Sequence, residues 1–242
     1  VKLCTLLLAL ALTLASGSLL AEELVLNSSY SPPYATNGSR GILECVLAEA
    51  FDRVGREVRF RHLPAERALA DAQSGHADGV VARIVGMERL YPRLVRVPSA
   101  SIPSRDFVAF SRSYLPPIRA WGDLAPHNIT FVRGWKIIEH NVPPAQSVVP
   151  VVSTRRAFEL LARGRADVVI NARLDGTVMV EQLEIVDVVI HEPPLASLSL
   201  YPYLHVRHAD LTGPLARALD EMKADGTFDR IYRETMDRYH GR

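Results

Sequence analysis

The chain has 242 residues, of which 48% are hydrophobic and 23% charged, with 28 basic against 27 acidic side chains. This is ordinary globular composition, with room for one large domain or two small ones. The near-neutral balance argues against nucleic acid or an anionic membrane as the main partner. Residues Leu3 to Leu14 form an apolar run behind Lys2, followed by small residues and then by Ala21 ahead of Glu22-Glu23. A charged start, a short apolar core and a small-residue end predict a signal peptide over residues 1–21, with Ser18 as an alternative cleavage point. The core is short for a membrane span, and nothing later approaches one, so the mature protein is expected to be exported and soluble. Cys4 leaves with this segment and Cys45 remains alone, which excludes an intramolecular disulfide and predicts a buried structural thiol. Loss of Lys2 makes the count 27 against 27.

Leu24 to Leu26 reads as a first strand, ended by Asn27-Ser28-Ser29. Tyr30-Ser31-Pro32-Pro33-Tyr34 is a loop, since paired prolines cannot continue a sheet interior, and Asn37-Gly38 is a turn. Helical spacing of Leu43, Val46, Leu47, Ala50, Phe51 and Val54 predicts a helix over 41–54, stopped by Gly55. A strand over 58–62, a helix over 65–74 stopped by Gly75, and a buried strand over 79–84 follow. Asn128 to Val132 is a strand, with a helix starting near Trp135. Asp106 to Phe110 and Leu198 to Val206 read as strands that cross between halves, and Pro202 favours an edge or hinge for the second. Helices over 212–224 and 227–239 end the pattern.

An internal repeat organises these elements. Arg67-Ala68 is followed eight residues later by Gly75-His76-Ala77-Asp78 and then Val80-Val81-Ala82-Arg83. Arg156-Ala157 is followed at the same spacing by Gly164-Arg165-Ala166-Asp167 and then Val168-Val169-Ile170-Asn171-Ala172-Arg173. The copies lie 89 residues apart, too far for a solenoid and suited to two similar α/β lobes with mainly parallel sheets. A single doubly wound domain is the alternative.

The Tyr30–Tyr34 loop, the helix over 43–55, the segment Ala72 to Gly79, Gly86-Met87-Glu88-Arg89, Val95 to Pro98, Leu161 to Asp167 and the ending Leu215 to Tyr232 stand in an order that resembles solute-binding protein family 3, the periplasmic components of polar amino-acid importers. The resemblance implies an α/β, two-lobed periplasmic-binding-protein fold of type II. Each lobe would be a mainly parallel sheet flanked by helices, and two crossing strands would serve as a hinge. It implies lobe 1 over 22–108 and 203–242 and lobe 2 over 109–202. It further implies capture of a small polar solute in the periplasm by a monomer that is not an enzyme, with an inner-membrane permease of the ABC type or a sensor as partner.

Ligands of open parallel sheets sit beyond the carboxyl ends of the strands, which selects Asn27 to Tyr34, Ala82 to Arg89, Asn171 to Arg173 and the helix start after Val132. The resemblance makes Arg89 the clamp for a ligand carboxylate, through the two parallel bonds a guanidinium offers; a surface role beside Glu88 or Asp106 is the alternative. Arg83 leaves a buried strand and must reach the cleft or an interlobe salt bridge. Tyr30 and Tyr34 either stack on the ligand or pack on the loop prolines. Gly134 and Trp135 open a helix whose amides favour an anion, with Trp135 an aromatic wall or a packing residue. Ser153 and Thr154 read as helix caps. Asn171 and Arg173 complete the set. The family pattern holds an ammonium with an aspartate in each lobe, whereas this chain has Asn27 or Ser28 and Asn171-Ala172 there. A carboxylate or other anionic or neutral polar solute therefore fits better than an α-amino acid, although Glu66 or Asp175 is available to supply the charge. No phosphate loop, serine elbow or metal-ligand spacing appears, so no cofactor and no metal are expected. A periplasmic lyase would need a general acid or base, for which Glu66, Glu88 and Asp175 are the candidates.

Overall fold

A computed structural model describes residues 23–30, 32–36, 38–112 and 115–240. The expected signal segment, Cys4 and Asn37 lie outside the described residues. The first half lays down β1 (Leu24–Ser28), α1 (Ile42–Arg53), β2 (Val58–His62), α2 (Ala65–Ser74), β3 (Gly79–Arg83) and the short β4 (Leu94–Arg96). The long β5 (Ile102–Arg112) leads into β6 (Asn128–Val132), α3 (Lys136–Asn141), β7 (Ser147–Val151), α4 (Thr154–Ala162), β8 (Val168–Ala172), α5 (Arg173–Gln182) and β9 (Val188–Ile190). The return strand β10 (Ala196–His205) precedes α6 (Thr212–Ala224) and α7 (Thr227–His240).

The strands order as β2-β1-β3-β10-β5-β8-β6-β7. Within each half the core is the same three-strand parallel set, with β1 between β2 and β3 and β6 between β7 and β8. The crossing strands β5 and β10 pair antiparallel with each other and with the edge of each lobe. This is the type II periplasmic-binding-protein architecture. The expected boundaries at 108/109 and 202/203 fall inside β5 and β10. Pro202 sits centrally, where the β10–β3 register shifts between Tyr201 and Tyr203, so its missing N–H interrupts no regular ladder.

Side chains alternate across each sheet as period-2 strands require. Leu24, Leu26 and Val81 meet α1 and α6 on one face, while Val80 meets Ala68 and Ala72 of α2 on the other. In the second lobe Val168 and Ile170 face Ile138, and Val169 faces Phe158 and Leu161. Several elements were not read from sequence: β4, β7, β9 and α5. β7 carries Pro150, tolerated because it is an edge strand. β1 continues through Asn27 and Ser28, since Asn27 is held by the Ala68 carbonyl (3.1 Å) and by Arg61 Nε (3.0 Å). Cys45 is half-buried, not buried as expected, with Arg238 Nη2 at 3.9 Å from its sulfur.

The repeat has a physical basis. Gly75 and Gly164 follow their helices at φ +84° and +64°, which glycine adopts without strain. Three residues on, Asp78 N–H donates to Val25 O (2.8 Å) and its Oδ2 accepts from Val25 N (2.8 Å). Asp167 makes the same pair of bonds with Asn128, both at 2.8 Å. Each aspartate thus closes the entry of the central strand of its lobe. Asp78 is also clasped by Arg207 and His208. Burial alone would raise this carboxyl, but the Val25, Arg207 and His208 bonds outweigh that and hold it below the ordinary 3.8. A depressed folded value contributes stability that is present above the unfolded value and lost as pH falls through the folded one. Asp78→Asn is expected to cost about 1–3 kcal/mol at pH 7 and to flatten the acid limb of a stability-versus-pH curve below 3.8, measured by denaturant melts.

Candidate functional site

A cleft of about 750 Å³ opens between the lobes where the carboxyl ends of β1, β3, β6 and β7 converge. Ser29, Tyr30, Arg83, Ile84 and Met87 line it from the first lobe, and Val132, Trp135, Ser153, Arg155, Asp175 and Met179 from the second. Phe107 of β5 and Leu198 and Leu200 of β10 also line it. A smaller pocket of about 220 Å³ is lined by Tyr34, Ser104, Asp106, Arg173 and Tyr232.

Arg105 fills one end of the cleft. It is 7% exposed, and its Nη2 donates to Asp175 Oδ2 at 3.0 Å. Its guanidinium carbon lies 5.2 Å from the Tyr30 ring centre, 4.9 Å from Tyr34, 6.0 Å from Phe107 and 5.2 Å from Trp135. Four rings and one carboxylate therefore surround a single cation, the arrangement in which ring quadrupoles attract positive charge most effectively. Burial works against the charge on Arg105, yet Asp175 and the two tyrosines keep its pKa above the ordinary value. Burial pushes the Asp175 carboxyl up, and the guanidinium beside it only partly offsets the rise.

Local structure brings these groups together. The first amides of α1 donate to Pro33 O (Ile42 N, 3.0 Å) and Tyr34 O (Leu43 N, 2.9 Å), so the loop itself caps the helix. Glu44 Oε2 accepts from Thr36 N (3.0 Å) and Gly41 N (2.8 Å), which fixes the loop that carries both tyrosines. Burial pushes the Tyr34 phenol up, so it stays protonated. Tyr30 OH donates to Ala82 O (3.3 Å). On the other side, a Cβ on Gly176 would come within 2.1 Å of Phe110 Cζ. Glycine there lets the first turn of α5 sit directly on β5, which carries Asp175 to Arg105. Gln182 of α5 and Tyr239 of α7 also bond across the lobes.

Arg83 is the second buried guanidinium, 9% exposed on the cleft wall. Nη1 donates to Ala82 O (2.7 Å) and Nη2 to Ser29 Oγ (3.1 Å), and no carboxylate pairs with it among the described residues. With Arg155 at the rim, the lining formed by the described residues carries three basic groups against Asp175 alone.

The sequence-predicted residues divide. Arg83, Tyr30, Gly134 and Trp135 line the cleft, and Trp135 meets Phe107 edge-on at 5.6 Å. Tyr34 lies beneath Arg105 and lines the smaller pocket. Arg89 is exposed on a single 3-10 turn, Met87–Arg89, and is absent from the cleft lining. The turn that follows β3 directs Met87 inward instead. Arg173 pairs with Glu192 and with Asp106 (3.5 Å) and lines the smaller pocket. Asn171 is fully buried in β8, its Nδ2 3.5 Å from Thr154 Oγ1, and does not line the cleft. The helix after Gly134 is six residues long, and Gly134 N–H is taken by Glu139 Oε1 (2.7 Å), so this amide is not open to an anion. Ser153 caps α4 by accepting from Arg156 N (3.2 Å), as expected. Among the described residues no group of three or more His, Cys, Asp or Glu is placed to hold a metal. Arg105 and Phe107 were not singled out from sequence; the available signal was one arginine beside the strand-like run Asp106 to Phe110.

No family model matches the chain. An uncharacterized protein from Shewanella oneidensis is 27% identical over 199 residues, covering 77% of this chain and 73% of the relative. Among solved structures, a histidine kinase sensor domain with similarity to periplasmic binding proteins superposes with TM-score 0.72 at 17% identity, covering 89% and 96% of the two chains. The GluR0 ligand-binding core complexed with L-glutamate gives TM-score 0.76 at 14% identity, with 90% and 99% covered. The amino acid ABC transporter substrate-binding protein AbpA from Streptococcus pneumoniae, bound to L-arginine, gives 0.69 at 16% identity, with 88% and 94% covered. At these identities the likeness is one of fold.

Removing one partner of a buried ion pair leaves the other charge uncompensated, which costs about 3–5 kcal/mol. Asp175→Asn is expected to lose stability on that scale, and Arg105→Met combined with it to recover more than half. Thermal melts of the four proteins of the cycle measure this, and additive single effects would refute the coupling.

Proposed function

We propose that the protein is an exported, periplasmic solute-binding protein that captures a small carboxylate-bearing solute between its lobes and delivers it to an ABC-type importer. The observation that carries this reading is Arg83: a guanidinium nearly buried in an interlobe cleft, bonded among the described residues only to neutral oxygens, with its remaining donors available to a carboxylate. A buried cation without a counter-ion is costly, and an arriving anion relieves that cost. The similarity to substrate-binding folds and the expected signal segment support export and capture. Reporting of occupancy to a membrane sensor is the second reading, favoured by the likeness to a histidine kinase sensor domain.

A lyase reading has less support. Of the three acid–base candidates only Asp175 lines the cleft, and it is bound to Arg105. Glu66 accepts from Tyr91 OH (3.2 Å) and Glu88 from Tyr203 OH (3.0 Å), both outside the cleft lining.

A thermal-shift screen across small mono- and dicarboxylates tests the proposal. The wild type is expected to gain about 2.7 kcal/mol at a hundredfold excess of ligand over Kd. Arg83→Gln should lose that gain, and Arg89→Ala should keep it. Loss in Arg89→Ala with retention in Arg83→Gln would reverse the assignment. Solution scattering at saturation is expected to show compaction of the wild type.

A further inference from the structure

The cleft holds two guanidinium groups in unlike surroundings. Arg83 lacks a carboxylate partner among the described residues, whereas Arg105 is enclosed by Tyr30, Tyr34, Phe107, Trp135 and Asp175. Rings and a carboxylate converging on one point form a receptor for an organic cation, and the chain's own side chain already occupies it. The cation held there draws on both lobes at once, since the tyrosines follow β1 while Trp135 and Asp175 belong to the second lobe. A solute entering the cleft finds no open carboxylate among the described residues to receive an ammonium, because Asp175 is the acidic residue of that lining and is engaged. The wall left over is largely apolar: Ile84, Met87, Val132, Ile137, Met179 and Leu198.

We infer that Arg105 acts as a built-in cationic occupant that excludes amino acids and amines, so that the cleft takes carboxylates with an apolar body and no positive group. This rests on the capture reading above and specifies the solute class. The carboxylate meets Arg83, the hydrocarbon body covers the apolar wall, and the cation position stays filled by Arg105. An ammonium buried without a counter-charge is strongly disfavoured, which sets the direction of selectivity.

Two measurements test the inference. In the first, wild-type protein is titrated with matched pairs, 3-phenylpropionate against L-phenylalanine and 4-methylpentanoate against L-leucine, and followed by thermal shift and calorimetry. The deaminated member is expected to bind more tightly by on the order of 100-fold. Amino acids binding equally or better would overturn the inference while leaving capture intact. Silence from all four would overturn the capture reading and this inference with it. In the second, Arg105→Ala empties the receptor, and low millimolar ethylguanidinium is expected to raise its melting temperature while leaving the wild type unmoved. Arg105→Ala/Asp175→Asn is expected to lose that response. A folded Arg105→Ala protein indifferent to ethylguanidinium would overturn the cationic-receptor reading; if the variant fails to fold, the matched pairs decide.

Discussion

A guanidinium and a carboxylate 3.0 Å apart, walled in by four aromatic rings, hold the centre of this molecule. Each charge alone would be expensive to desolvate, so each is tolerable only with the other in place. The rings add attraction that a plain apolar wall would lack. Because Arg105 sits on a crossing strand, the same contact fixes the Tyr30–Tyr34 loop from one lobe and the first turn of α5 from the other. The relative placement of the lobes in this state and the chemistry of the cleft therefore share one physical origin.

Around that centre the two lobes repeat a frame and vary its tips. Asp78 and Asp167 close their central strands by identical backbone bonds, so both are accounted for without a ligand. The strand tips differ: β3 ends in Arg83, which has no carboxylate partner among the described residues, whereas β8 ends in Asn171-Ala172 and runs directly into α5. Asymmetry at equivalent positions leaves a guanidinium without a carboxylate on one wall while the opposite wall supplies the carboxylate that holds Arg105.

The frame was legible because it is periodic. Apolar spacing of 3.6 and 2, punctuated by Gly55, Gly75 and Gly164, places α1, β2, α2, β3 and β6 within a residue or two of their observed bounds. The repeated Gly-x-Ala-Asp separates two lobes from one domain. Elements without such marks were missed: β7 contains a proline, and α5 starts without a loop and contains Gly176. The site was less legible. Its central group is gathered from the β1 loop, β5, the β6 loop and α5, and no local pattern announces that Arg105 lies within reach of all of them. The motif that did stand out, Glu88-Arg89, falls on an exposed turn. From sequence Asp175 is a candidate counter-charge for an ammonium or a candidate general acid–base group; its pairing with Arg105 depends on the close seating that Gly176 permits.

The bond between Gln182 and Tyr239 ties the last described helix to the opposite lobe. That helix packs on the first lobe through Ile231 and Met236, so its final turn bridges the two lobes at the edge of the cleft. Any spreading of the lobes would have to break this link, and a dye or fused domain attached at the tail of α7 would report it from the rim of the cleft.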